Sequence, residues 1–168
     1  MTIDPMKRIA DIKSVNGWDA SAAVDFVTLD SHDRRRRRVV LVGEHGATYL
    51  LDLPKPAQLH DGDGLLLEDG SMVRVAGKPE PLMEISAANP RELARIAWHI
   101  GNRHTEVQLV GDKLRIRSDH VLEDMLRGIG ASLRFIEAPF EPEDGAYSHL
   151  HGHSHGDRTG SDKQNGRE

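Results

Sequence analysis

Apolar and polar positions alternate in short runs through the first half of the chain and then change rhythm. Between Lys7 and Ala76, runs rich in Val and Leu at Val24 to Leu29, Arg38 to Val42, Thr48 to Leu53, Gly64 to Leu67 and Met72 to Val75 are separated by Gly43, Gly46, Pro54, Pro56, Gly62 and Gly70. Runs punctuated in this way predict strands, and no stretch of this half keeps a helical period. A small all-β domain is therefore expected over residues 1–77. Gly77-Lys78-Pro79-Glu80-Pro81 then reads as a short linker, because two prolines remove backbone donors and stiffen the chain.

From Leu82 the pattern mixes strands with helices. Leu82 to Ser86 predicts a strand. Asn89 offers a cap, Pro90 fits a first helical position and Glu92 can complete a capping box. Leu93, Ile96, Ala97 and Ile100 fall on one helical face, and Gly101 supplies a stop. Glu106 to Val110 and Lys113 to Arg117 alternate on either side of Gly111-Asp112, a two-residue hairpin signal. A second helix begins near Ser118 or Asp119, with Val121, Leu122, Met125, Leu126 and Ile129 as its apolar face and Gly128 and Gly130 at its end. Leu133 to Glu137 predicts a last strand. The order β-α-β-β-α-β is the split βαβ, ferredoxin-like arrangement. The expected fold class is thus α+β: an all-β N-terminal domain, a ferredoxin-like domain over residues 78–147 and a tail over residues 148–168. From Ser148 onward almost nothing is apolar, so the tail cannot offset its ordering entropy and is expected to be disordered without a ligand.

Composition narrows the function. Apolar residues make up 38% of 168, low for one compact core but suited to two small domains with a polar tail. A net charge of −5 argues against a general nucleic-acid binder. With no cysteine, disulfides and thiolate ligation are both excluded, and any metal must be held by imidazole and oxygen, which suits Ni, Zn or Cu(II). No apolar run approaches the ~20 residues needed to span a bilayer, and Met1 to Lys13 lacks a secretory apolar core, so a cytoplasmic protein is expected. Neither a phosphate-cradling glycine loop, a nucleophile elbow nor a His-Glu-x-x-His pair occurs, and no enzymatic activity is expected.

The histidines carry the chemical signal. Four of the ten lie in seven residues, at His149, His151, His153 and His155. Alternate spacing puts neighbouring rings on one side of an extended chain, roughly 6.6 Å apart along it. Gly152 and Ser154 let the chain wrap so that several rings converge on one ion. A purification tag would be an unbroken run at an end, whereas this tract is interrupted and followed by thirteen more residues. Single histidines say less. His104 lies just past the first helix, His99 beside Trp98 on it and His120 at the start of the second, and by position alone each reads as an ordinary surface group. Arg34 to Arg38 holds five of the 22 basic residues, and reads either as a solvated strand entry or as a docking patch. Glu141 and Glu143 form a carboxylate pair with no partner evident in the sequence.

Three stretches together resemble one family. Trp98-His99-Ile100-Gly101-Asn102-Arg103-His104, then Asp119-His120-Val121-Leu122-Glu123-Asp124-Met125-Leu126, then Pro139-Phe140-Glu141-Pro142-Glu143-Asp144-Gly145-Ala146-Tyr147 and a His-rich terminus are similar to the UreE urease accessory proteins. The match covers Leu82 to His155, while the N-terminal half matches in length and β-character. The resemblance implies an N-terminal domain like the peptide-binding domains of Hsp40 chaperones and a ferredoxin-like metal-binding domain. It also implies a homodimer that carries Ni(II) for urease active-site assembly, with an accessory GTPase and an apo-urease and accessory-protein complex as partners. Zn(II) and Cu(II) are the expected competitors. The interface ligand it implies is His104, one from each subunit. Two imidazoles leave a nickel shell incomplete, so the tail histidines His149, His151, His153 and His155, or water, are expected to fill it. His120 is an auxiliary ligand whose companion two positions earlier is Ser118 here. The alternative class is a His-tailed divalent-metal buffer or storage protein with no client.

Overall fold

The structure, a computed structural model, describes residues 6–145. The tail histidines His149, His151, His153 and His155 and the disorder expected of the tail lie outside the described residues.

The N-terminal half forms β1 (Lys7–Lys13), β2 (Ala23–Leu29), β3 (Arg35–Val42), β4 (Thr48–Gln58), β5 (Gly64–Leu67) and β6 (Met72–Gly77), in the sheet order β2-β6-β5-β1-β4-β3. The β1–β4 and β2–β6 pairs are parallel and the other pairs antiparallel. Strand alternation turns Val27, Leu41, Leu51, Leu65, Val73 and Val75 into a shared core with Tyr49. β1 is absent from the sequence expectation because Ile9 and Ile12 are its only large apolar residues; its place between β5 and β4 makes it a strand. β4 outruns its expected end at Leu53. Its register against β3 jumps from Arg38↔Asp52 to Arg36↔Ala57, so Pro54 and Pro56 occupy a bulge where no ladder donor is required.

The second half forms β7 (Pro79–Ser86), α1 (Pro90–Gly101), β8 (Gln108–Val110), β9 (Lys113–Arg117), α2 (His120–Gly128) and β10 (Ser132–Pro139). The sheet order is β10-β7-β9-β8 with every pair antiparallel, so β9 is inserted between the two strands that α1 connects. Met83, Ile85, Leu114 and Ile116 on one face of this sheet pack with Ile96 and Ile100 of α1 and Leu126 of α2. Asn89 caps α1 by accepting from Glu92 N at 3.0 Å, and Asp119 caps α2 by accepting from Leu122 N at 2.9 Å. Three expectations are corrected here. The Glu92 carboxylate accepts from Arg95 Nε at 3.0 Å rather than closing a capping box. Val121 is 62% exposed, and Leu122, Met125 and Ile129 supply the contact. Residues 79–81 are no linker but the start of β7, where β10 is the only ladder neighbour because pairing with β9 begins at Leu82.

The two halves are joined by a polar seam. Arg34 is wholly buried, which corrects the reading of Arg34 to Arg38 as one exposed run; only Arg35 to Arg38 are exposed. Its guanidinium pairs with the Glu141 carboxylate, donates to Phe140 O at 2.6 Å and reaches Leu59 O at 3.4 Å. Glu141 also accepts from Asp61 N at 2.9 Å. Beside it, Glu80 accepts from Ser31 N at 2.9 Å and from Arg117 Nε at 3.1 Å, and Arg117 lies 4.8 Å from the centroid of the Phe140 ring. Gly77 lets Pro139 approach: a Cβ there would come within 2.6 Å of Pro139 Cβ. Replacing Arg34 by Ala strands a carboxylate and two carbonyls, so the urea midpoint of Arg34→Ala should drop by the equivalent of about 3 kcal/mol. An unchanged midpoint would show that the seam contributes nothing.

On the sheet face opposite the helices, Glu84 is 4% exposed and accepts from Arg115 Nε and Nη2 (3.0 and 2.8 Å), Lys113 Nζ (3.1 Å) and Arg134 Nη2 (2.6 Å). The Arg115 hydrogen bonds, working against burial and joined by Lys113 and Arg134, push its carboxyl down to about 2 from an ordinary 4.5. A depressed folded-state value means stability that is complete above the unfolded value and lost as the pH falls toward 2. Wild-type stability, measured by urea midpoints between about pH 5 and pH 2.5, should therefore fall with a component that Glu84→Gln lacks.

Candidate functional site

His104 is placed by the end of α1. Ile96 and Ile100 anchor the helix in the core, and beyond Gly101 the chain keeps turning. Asn102 N donates to Trp98 O, Arg103 N to Ile100 O and His104 N to Gly101 O, each at 3.0 Å. Arg103 Nη1 donates back to His99 O at 2.8 Å. The reversal comes at His104, whose φ of +55° is the one positive value at a non-glycine among the described residues. The helix ends at Gly101 as expected, but not through a left-handed glycine: Gly101 has no positive φ, and the left-handed step is taken three residues later by a histidine, one of the side chains that tolerates it best. The imidazole is left exposed at the rim of a cleft of about 410 Å³.

That cleft is built from both halves of the chain. Arg35 comes from β3, Glu106 from the segment after His104, and Glu143 and Gly145 from the stretch that follows β10. Glu106 is held by Arg117 Nη1 at 2.6 Å, with Arg35 Nη1 at 3.9 Å. Arg35 also reaches Asp144 at 3.4 Å and donates to Gln58 at 2.8 Å. Glu143 N donates to Val107 O at 2.7 Å and its carboxylate accepts from Leu109 N at 3.3 Å; no cation pairs with it among the described residues. The carboxylate pair noted in the sequence thus separates. Glu141 faces inward to Arg34, while Glu143 stays exposed on the cleft as an available oxygen donor. The pairing of Arg34 with the 139–145 stretch was not legible beforehand, although both were noted, since no local pattern marks a partner more than one hundred residues away.

The remaining candidates are dispersed. His120 is exposed on the first turn of α2, directly after the Asp119 cap. His99 packs edge-on to Trp98 at 5.0 Å between ring centroids, and Trp98 is itself 65% exposed. In the N-terminal half, His45 Nδ1 lies 3.3 Å from Asp25 Oδ1. Burial pushes the Asp25 carboxyl up, but the Tyr49 hydroxyl and the N–H groups of Phe26 and His45 outweigh it and hold it below the usual range. Among the described residues no three His, Asp or Glu side chains stand close enough to hold an ion together. At the cleft a single described chain therefore offers one exposed imidazole and nearby carboxylates, not a closed coordination shell. No helix among the described residues is long and apolar enough to cross a membrane.

Comparison with known proteins agrees with the sequence resemblance on both halves. The family model of the UreE urease accessory protein N-terminal domain matches residues 6–77, and that of the UreE C-terminal domain matches residues 80–166. The chain is 50% identical over 143 residues to the urease accessory protein UreE of Rhodopseudomonas palustris strain BisB18, covering 85% of this chain and 67% of that one. It is 50% identical over 135 residues to the UreE of Chelativorans sp. strain BNC1, covering 79% of this chain and 85% of the relative. With the UreE of Rhodobacter capsulatus it shares 43% identity over 153 residues, covering 90% and 94%. Matches of this extent across both halves place the chain in the UreE urease accessory protein family.

Proposed function

We propose that the chain is a cytoplasmic, non-enzymatic nickel metallochaperone that binds Ni(II) at a homodimer interface through His104 and delivers it for assembly of the urease active site. The observation that carries this reading is His104 itself. A histidine held in left-handed backbone, with its ring exposed at a cleft, is a side chain kept in a costly position with no packing role. The relatives' name, urease accessory protein, supports a client in urease maturation. An accessory GTPase and an apo-urease and accessory-protein complex are the partners this reading assigns.

One imidazole cannot hold nickel, which takes four to six nitrogen or oxygen donors. A second copy supplies a second His104. The exposed Trp98, on the same helix as the turn leading to His104, is a large apolar side chain suited to burial between copies. The rest of the shell falls to the tail. Gly145 lines the His104 cleft, so His149, four residues on, lies within roughly 14 Å of chain, and His151, His153 and His155 follow. Tethering keeps these donors at about millimolar effective concentration, while each residue ordered on binding costs about 1–2 kcal/mol. Zn(II) and Cu(II) compete for such ligands, copper more strongly than nickel. His120 is kept as an auxiliary ligand without a histidine at position 118. The domain reading is 1–77, 78–147 and 148–168, with the second domain ferredoxin-like; the strand order β10-β7-β9-β8 with both helices on one face supports it.

Nickel titration by calorimetry, with mass by light scattering, tests the reading. A dimer with a single tight ion and weaker ones is expected. His104→Gly should abolish the tight ion without lowering the melting temperature, because glycine takes positive φ freely; His104→Ala should lose the ion with little change in stability, because alanine carries the same Cβ into the left-handed backbone. Tight binding that survives in His104→Gly would rule out the interface ligand. Truncation before Ser148 should reduce the ions per dimer and keep the dimer. Weak, tail-dependent binding to a monomer would leave a metal buffer as the better description.

A further inference from the structure

The four-stranded sheet has a face that the helices do not use. Met83, Ile85, Leu114 and Ile116 point toward α1 and α2, and the alternate positions point away: Leu82 and Glu84 on β7, Lys113, Arg115 and Arg117 on β9, and Arg134 on β10. Toward the join with the N-terminal half this face is covered and its charges cancel. There Arg117 is taken up by Glu80 and Glu106, and Leu82 is buried. Toward the other end it carries three cations against one carboxylate. Glu84 receives four hydrogen bonds, which fills its acceptor positions, and nine further N–H donors cannot be met by it: two on Lys113, three on Arg115 and four on Arg134. Arg134 is 66% exposed, Lys113 is partly exposed and no helix lies over them among the described residues.

We propose that this end of the open sheet face is a docking surface for a carboxylate-rich segment of another protein. Charge complementarity selects the occupant. The patch holds a local excess of two positive charges in a chain whose total is −5, so it attracts a short acidic stretch while the rest of the surface repels an extended polyanion. Two arginine forks, on the two strands that flank β7, suit planar, bidentate carboxylates. Glu84 serves as the organiser. Its buried charge holds the three cationic heads in fixed positions, so a partner's carboxylates meet donors already in place rather than flexible side chains that must first be ordered. This surface is separate from the His104 cleft and does not depend on the nickel reading.

The probe is an acetylated, fluorescein-labelled octaglutamate, titrated into the metal-free full chain at about 50 mM salt and followed by anisotropy. Saturable binding is expected, weakened about fivefold or more in Lys113→Gln/Arg134→Gln and restored by the charge-conserving Lys113→Arg/Arg134→Lys. Arg36→Gln/Arg37→Gln, in the other exposed basic stretch, should change it by less than about twofold. Carbodiimide coupling of the same peptide to the unaltered chain should map to Lys113 by mass spectrometry, a readout that needs no variant to fold. No binding of the peptide, loss with the Arg36 and Arg37 pair instead, or equally tight binding of octathymidylate would each overturn the proposal.

Discussion

A guanidinium stays charged under all ordinary conditions, so a buried arginine dictates its surroundings. Arg34 is buried completely, and the acceptors it must find come from distant parts of the chain: Leu59 O just after β4, Phe140 O and the Glu141 carboxylate just after β10. Once these are met, the path of residues 139–145 is settled. Glu141 N reaches Gln108, Glu143 N reaches Val107 O, and the stretch arrives at the His104 cleft with Gly145 on its wall. Gly77 leaves the room that Pro139 needs, and Arg117 lies against the Phe140 ring to close the seam. The cleft is thus a consequence of one ion pair some distance from it.

Three buried or half-buried acids repeat the same logic with different donors. Asp25 is satisfied by a tyrosine hydroxyl and two backbone amides, and it ties the β3–β4 turn to β2; at Gly43 even a Cβ would come within 2.0 Å of its carboxylate. Glu80 uses Ser31 and Arg117 at the join between the halves. Glu84 uses cations alone. All three stay ionised below the usual range although burial opposes it, because each carboxylate is given donors before it is taken out of water. The acids that matter most in this chain therefore fix places where strands or halves meet.

Much of the second half was legible in the sequence, because its signals are local. Asn89-Pro90 and Asp119 mark helix starts through their own hydrogen bonds, Gly111 and Gly130 take positive φ where their turns require it, and Ile96 and Ile100 repeat at helical spacing. What escaped was set by distant contacts. β1 is a strand because two neighbours flank it, the prolines of β7 are tolerated because one side there is unpaired, and Val121 is exposed although its spacing suited the apolar face. Arg34 is the sharpest case. Inside a run of five arginines it is chemically identical to its neighbours, and only the fold gives it partners. At the site, His104 was recognisable by its motif, whereas its left-handed backbone and its cleft were not, since both depend on how α1 ends against the rest of the domain.

The geometry at His104 bears on how a carrier can hold an ion firmly enough to collect it and still give it up. A closed shell of preset ligands gains affinity because nothing has to be ordered on binding, and for the same reason it releases slowly. Here the helix end and its backbone bonds fix the backbone that carries one imidazole, with left-handed strain of about 1 kcal/mol at that residue. The other donors of the proposed site come from a second copy and a tethered tail, so each can leave separately. A partner that offers its own ligands then displaces them one at a time, and no step requires the whole shell to break. On this reading the rigid part of the chain sets where the ion sits, and the polar tail sets how long it stays.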